Sequence, residues 1–346
     1  MGTEVVVVTS PGLKNGFLQL HPRAVYVLPE HGGNLLRRVH TYAKMVVSLR
    51  KIISRERPDV IHVQAKLARL LMLATVGDHV VVETLHGVGL MKGEAFPRVI
   101  NRISDVLAAA SFNEFISVSK PRNGQLSMFG TPIRYIPNSI DGEEYRFVPL
   151  DKKEKTVIFV GRLHDLKRPL FFVEAIGLIH PFLSQRGIQA KVIGEGPLKE
   201  TLRETIERLG LGDLVSLEGQ LPPEKVREHM ARAYAYVTCS ITEGMSLALL
   251  EAMASGCVVV ASDIPGNSAV IQDQTTGLLF DGKDPSGLAH MIERVFEEPS
   301  MAAMLARNAR DEFDSRYDAE QNTLIVMQVY KEVAGPNQRH KESNRS

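Results

Sequence analysis

Tryptophan is absent from the 346 residues, cysteine occurs only twice, and charge is balanced, with 41 Lys and Arg against 40 Asp and Glu. The scarcity of cysteine and the absence of a charge excess each exclude a class of function. Cys239 and Cys257 both fall in apolar, strand-like runs, so neither a disulfide framework nor a zinc site is supported, and a reducing cytosol is the expected setting. A formal net charge of +1 supplies no global attraction to nucleic acid, and none is expected as a partner. Apolar runs such as Val5–Val8 and Val80–Val82 are too short to span a bilayer, and no charged-then-apolar leader opens the chain. The lack of tryptophan carries no functional message, and there is no internal repeat.

What is present describes a globular chain of two domains. A hydrophobic fraction of 44% and a charged fraction of 23% are ordinary for a folded protein, and 346 residues exceed what one core usually holds. Short Val/Ile-rich runs bounded by turn residues alternate with helical patterns, the rhythm of stacked βαβ units with parallel sheets, so the class is α/β. Strands are expected at Glu4–Val8, Ala24–Leu28, Val60–Val63, Val80–Thr84, Glu114–Val118 and Ile133–Ile136, with helices near Leu35–Arg55, Lys66–Ala74 and Phe96–Ala110. The polar, unpatterned stretch Val148–Lys155 marks a boundary. Residues 1–150 then form an N-terminal domain and 151–318 a second one, followed by a C-terminal helix over 319–334 and a polar, disordered tail over 335–346.

The second domain holds the densest chemistry. Glu243 and Glu251 lie eight residues apart in Thr242–Gly256, across a turn that opens an Ala/Leu-rich helix. If Ser246 starts that helix, its first N–H groups are unpaired and the positive end of the dipole favours a phosphate between the carboxylates. Glu251 then sits about 8 Å down the axis, at roughly 1.5 Å per residue. That separation is too long for one metal ion but suits a sugar at one carboxylate and a ribose at the other. Acidic residues are also commonplace near helix starts, so the pair alone does not make a site. Directly after the strand Thr156–Val160 comes Gly161–Pro169, a basic loop where parallel sheets bind anions. In that loop Arg162 offers a planar fork and Lys167 a mobile charge for a diphosphate, unless both are merely surface cations.

Taken together, Gly161–Leu163 with Lys167, Val192–Pro197, Glu243–Gly244 through Glu251–Ala252 with Gly256, and Gly277–Leu279 resemble the C-terminal domain of glycosyltransferase family 4. These are retaining nucleotide-sugar enzymes of the GT-B fold, in which two Rossmann-like domains face a cleft. The resemblance covers roughly residues 156–295. It implies that Arg162 and Lys167 hold the donor diphosphate in place of a divalent cation, with no metal and no cofactor. It also implies that Glu243 contacts the transferred sugar, that the backbone of Gly244, Met245, Ser246 and Leu247 receives the phosphate, that Glu251 binds the ribose, and that Gly161 is among the donor-binding residues. The turn Gly194, Glu195, Gly196 and Pro197 would frame the base.

The first domain resembles the family more loosely, through Pro58–Val63, Glu83–Gly87, Ile116–Ser119 and Ile136–Asp141. By that likeness His86 faces the cleft and the reacting sugar; its alternative is a hydrogen-bonded structural histidine. Family members open with a further strand, glycine-rich loop and helix, whereas this chain begins at what resembles the second strand. A start codon upstream, a degenerate protein, or Val5–Val8 serving as the first strand with Ser10–Gly16 as its loop are the readings of that difference. Arg37, Arg38, Lys44, Arg50, Lys51, Arg55 and Arg57 share one helical segment with apolar residues, which suits either an anionic membrane surface or a solvated basic face.

The sequence therefore predicts a cytoplasmic hexosyltransferase, with attachment to the inner face of the membrane as an option. It moves a sugar from a nucleotide-diphosphate donor to a hydroxyl of a glycan, lipid-linked or small-molecule acceptor. The alternatives are a nucleotide-sugar epimerase of the same fold and a non-catalytic nucleotide-sugar-binding subunit. No Ser/His/Asp set is present, so catalytic help is expected to be electrostatic.

Overall fold

The computed structural model of the chain describes residues 6–9, 24–27, 35–64, 66–75, 77–86, 98–119, 127–128 and 131–343. In the first half these include β1 (Val6–Thr9), β2 (Ala24–Val27), β3 (Ile61–Val63), β4 (Val81–Leu85), β5 (Glu114–Ser117), β6 (Ser127–Met128) and β7 (Thr131–Tyr135). β1 and β2 pair in parallel, and a second sheet has the order β3-β4-β5-β7-β6, with only the β6–β7 pair antiparallel. The expected loop Ser10–Gly16, Gly87 and the side chains of Arg37 and Arg38 lie outside the described residues, as does the question of a preceding strand.

The second half carries β8 (Glu154–Val160), β9 (Gln189–Ile193), β10 (Val215–Gly219), β11 (Ala233–Thr238), β12 (Val258–Ser262) and β13 (Leu278–Phe280). They form one parallel sheet in the order β10-β9-β8-β11-β12-β13. Counted from β8, that is 3-2-1-4-5-6, a doubly wound sheet whose winding reverses between β8 and β11. Such reversals open a crevice at the carboxyl ends of the two central strands, and the expected site loops follow those strands.

Alternation along the strands explains why both faces are covered. Val157, Phe159, Val237, Val258 and Val260 point into one apolar cluster, while Ile158, Tyr236 and Val259 point into another. Every residue of β12 is buried, and each valine so removed from water contributes about 2 kcal/mol. Helices start where proline can occupy the first turn, as at Pro169, Pro223, Pro285 and Pro299. The helix Leu247–Ser255 stops at Gly256, whose φ of 74° places it in the left-handed region.

Several elements differ from the sequence expectation, the short strand β6 among them. The helices His180–Arg186 and Pro265–Ser268 lie where no helix is expected from the sequence; both are short, seven and four residues, and carry a proline in the first turn. The last helix runs Ala319–Ser343, through Gly335 and Pro336. A proline removes one backbone donor, and a helix anchored upstream can carry that loss. Here Val329 is fully buried against Val82, Ile116 and Ile136, so the chain returns from the second half to cover one face of the first sheet.

The other face of that sheet is covered by the helix Leu35–Glu56 through Met45, Leu49 and Ile53. The apolar stripe that the sequence offered to a membrane is thus spent on the core. Lys44, Arg50, Lys51 and Arg55 remain exposed on the opposite side. Among the described residues no helix is long and apolar enough to cross a membrane. The polar stretch before β8 is also better anchored than its composition suggests: Leu150 is buried, and Lys153 Nζ donates to the carbonyls of Ala231 at 2.9 Å and Ser255 at 3.0 Å.

Candidate functional site

Three loops meet at the reversal point. Gly161–Arg168 follows β8, Gly194–Leu198 follows β9, and Cys239–Ser246 follows β11. Glycine is required where the first two touch. A Cβ on Gly194, whose φ is 144°, would lie 1.9 Å from the Gly161 carbonyl oxygen, and one on Gly196 would lie 2.3 Å from that of Leu163. Backbone bonds lock the contact: Gly161 N–H donates to Ile193 O at 3.0 Å and Leu163 N–H to Glu195 O at 2.9 Å. Glu195 itself pairs with Lys199 at 2.6 Å.

Lys167 and Glu243 form an ion pair across the reversal, with side-chain exposures of 25% and 13%. Glu243 is held from behind as well. Ser240 Oγ donates to its Oε1 at 2.7 Å, Ser262 Oγ donates to the Ser240 carbonyl at 2.7 Å, and Asn267 Nδ2 donates to the Ser262 carbonyl at 2.9 Å. The close fit of Gly266, whose Cβ would meet the Glu243 carbonyl oxygen at 2.4 Å, seats the short helix Pro265–Ser268 beneath the carboxylate. Arg162 is exposed on the same loop as Lys167, and no side-chain partner for it is found among the described residues.

Ser246 is the N-cap of the helix Leu247–Ser255, and its side chain makes no capping hydrogen bond. The first N–H groups of that helix are therefore left for another acceptor. Gly244 and Met245 receive contacts from the first half of the chain: Ser119 Oγ donates to Gly244 O at 3.2 Å and Asn138 Nδ2 to Met245 O at 3.3 Å. One turn into the helix, Glu251 is half-buried and accepts the Tyr145 hydroxyl at 3.1 Å. Burial pushes the Glu251 carboxyl above its ordinary range, against the lowering effect of that bond and of the nearby Arg227 charge.

His86 sits on the other sheet, just past β4. Strand β4 pairs with β5, and Ser119 just past β5 touches Gly244, so the carboxyl edge of the first sheet faces the Gly244–Met245 turn. The His86 imidazole donates through Nε2 to Gln64 Oε1 at 2.6 Å. Burial lowers its pKa and favours the neutral ring. Next to it, His62 is held by Tyr330 Oη at 2.5 Å and Thr84 Oγ1 at 2.7 Å. Burial, and then the neighbouring His86, push His62 down to about 4.

The structure thus gathers Gly161, Arg162, Lys167, Gly194, Glu195, Gly196 and Glu243 through Leu247 around one crevice, with Glu251 one turn deeper. His86 belongs to the facing edge. Sequence reasoning missed Ser240, Ser262, Asn267, Tyr145 and Asn138. Only Ser240, three residues before Glu243, was near enough in sequence to suspect; the others arrive through tertiary packing. Among the described residues no group of three or more His, Cys, Asp or Glu is placed to hold a metal ion.

Comparison with known proteins agrees with this architecture. Residues 141–312 match the family described as "Glycosyl transferases group 1" and residues 1–144 the family "Glycosyltransferase Family 4". Among curated proteins, the chain is 29% identical over 179 residues to D-inositol 3-phosphate glycosyltransferase of Paenarthrobacter aurescens, covering 51% of this chain and 44% of that one. It is 24% identical to N-acetyl-alpha-D-glucosaminyl L-malate synthase of Bacillus anthracis, covering 82% and 77%. The chain spans between 44% and 60% of the length of the first curated relatives it matches. HepE of Anabaena, solved with UDP and glucose, superposes with a TM-score of 0.77 at 20% identity, covering 94% of this chain and 91% of that one. At that identity the likeness is one of fold, and the fold is GT-B. With one family model on each half of the chain and a GT-B neighbour along nearly its whole length, the chain belongs to the glycosyltransferases of these group 1 and family 4 types.

Proposed function

We propose that the chain is a retaining hexosyltransferase that moves a sugar from a nucleotide-diphosphate sugar to a hydroxyl of a glycan, lipid-linked or small-molecule acceptor. The observation that carries this reading is the Lys167–Glu243 pair at the sheet reversal, beside the uncapped start of the helix Leu247–Ser255. A cation and a carboxylate in direct contact match the junction they would serve, where a diphosphate oxygen meets the sugar carbon. Arg162, Lys167 and the helix N–H groups stabilise the leaving diphosphate. Glu243, fixed by Ser240, orients the sugar, and Glu251 accepts from the ribose.

In the reaction the bond between the anomeric carbon and the phosphate oxygen breaks while the acceptor oxygen bonds to that carbon on the same face. The acceptor proton passes to the departing phosphate oxygen. His86, neutral and tied to Gln64, contacts the sugar from the opposite edge of the crevice. Structural neighbours solved in complex with UDP and with UDP-glucose support a donor of this chemical class.

Incubation with a panel of UDP-, GDP- and ADP-sugars tests the reading. Slow release of free sugar from at least one donor is expected without acceptor, at an unchanged rate in excess EDTA. Interconversion of the donor sugar without release would indicate an epimerase instead, and a rate abolished by EDTA would contradict the cationic substitute for a metal.

Contact with an anionic membrane surface rests on the exposed cations of Leu35–Glu56 alone. Capture on anionic vesicles but not on neutral ones, lost at 1 M salt where the screening length is about 3 Å, is the expected outcome of a flotation assay. Equal recovery on both vesicle types would reject it.

A further inference from the structure

We propose that Tyr145 is a positioning residue for ribose recognition: its hydroxyl fixes the Glu251 carboxylate so that the other oxygen is presented to the ribose diol of the donor. This deepens the reading of Glu251 given above and rests on it.

The geometry is specific. Tyr145 Oη donates to Glu251 Oε1 at 3.1 Å. An ionised carboxylate has two oxygens and about four acceptor positions, so one phenol leaves Oε2 open. The tyrosine is itself held rigidly. The residue is 8% exposed and packs in the cluster that contains Met245, Leu249 and Met253. Its N–H donates to Gly142 O at 3.2 Å, and its carbonyl accepts from Arg310 Nη1 at 3.3 Å. The Arg227 guanidinium lies 5.9 Å from the ring centroid, where it also favours the ionised form of Glu251.

A half-buried carboxylate without such support would rotate about its last torsion or take up a proton. Burial raises the Tyr145 phenol as well, so it remains protonated and able to donate throughout the neutral range. Tyr145 also lies in the segment between β7 and β8, which joins the two halves of the chain. Ribose recognition is therefore assigned to a residue outside the helix that carries Glu251.

Tyr145→Phe isolates this role, since the ring and its packing remain and only the hydroxyl is lost. The probes are UDP, GDP and ADP, each with its 2′,3′-dideoxy counterpart, measured by calorimetry on the full chain. For the nucleotide that wild type binds, Tyr145→Phe is expected to weaken binding about tenfold, the size of one hydrogen bond to a charged group, and to leave the dideoxy counterpart unchanged. Glu251→Ala should erase the difference between the two nucleotides, and thermal melting of Tyr145→Phe should follow wild type.

Loss of discrimination in Glu251→Ala together with wild-type behaviour of Tyr145→Phe overturns the proposal and leaves the donor site standing. Tighter binding by Tyr145→Phe also overturns it, because the hydroxyl would then compete with ribose. Wild type that binds none of the three nucleotides, or discriminates equally well without Glu251, overturns the donor-site reading and this proposal with it.

Discussion

Replacing Arg162 or Lys167 by alanine lowers kcat for donor cleavage by about 10²- to 10³-fold, the range seen when one preorganised donor to a developing negative charge is removed. The two variants should differ in their side effects. Arg162 is exposed and makes no side-chain contact among the described residues, so its loss leaves the folded crevice as it was. Lys167→Ala releases Glu243, which keeps only the Ser240 bond at 2.7 Å. Its fold should survive, because a partly exposed pair contributes no more than about 1 kcal/mol. Sugar placement suffers in addition to charge stabilisation, so KM for the donor rises with the fall in kcat. Steady-state kinetics on the donor that wild type turns over, with circular dichroism to verify folding, checks both. A loss smaller than tenfold in either variant would place the diphosphate elsewhere.

The largest effect on stability is expected far from this crevice. Arg69 Nε donates to both oxygens of Glu83, at 2.7 and 2.9 Å, and its guanidinium also pairs with Asp105. Arg69 and Glu83 are 5% and 2% exposed. The three residues tie the helices Lys66–Leu73 and Arg98–Ser111 to β4, the strand that ends beside His86. Glu83→Ala leaves a buried guanidinium with a single, more exposed partner and should cost about 3 kcal/mol or more. Arg69→Met combined with Glu83→Leu removes both charges and fills the space, so it should cost far less than the single change. Urea denaturation of the three proteins measures this. A double variant as unstable as Glu83→Ala would mean that the charges themselves, rather than the penalty for stranding one, stabilise the fold.

Legibility in the sequence followed the range of the interactions. The βαβ rhythm and the helix opening at Ser246 were readable, because period and helix starts are local. The loops proposed to hold the donor stand out as motifs for the same reason: Gly161–Lys167 and Glu243–Glu251 each gather their charged residues within one short segment. The meaning of Gly194 and Gly196 was less accessible. Their spacing was visible, but only the fold reveals that they admit the backbone of Gly161–Leu163. Tyr145 and Asn267 were invisible as site residues, since each acts on a carboxylate or its support through contacts made by folding. The helix Leu35–Glu56 shows the converse. Its amphipathic pattern was read correctly as a pattern, and its destination was ambiguous until Met45, Leu49 and Ile53 were seen packed on the first sheet.

The proposed function requires the donor diphosphate to lie between the β8 loop and the start of the helix Leu247–Ser255. A crystal structure of the chain soaked with the nucleotide of whichever donor it cleaves addresses this directly. The account predicts the terminal phosphate within hydrogen-bonding distance of the Arg162 guanidinium, Lys167 Nζ and the first N–H groups of that helix, with the ribose hydroxyls on Glu251. A nucleotide bound with its phosphates away from Arg162 and Lys167 would contradict it.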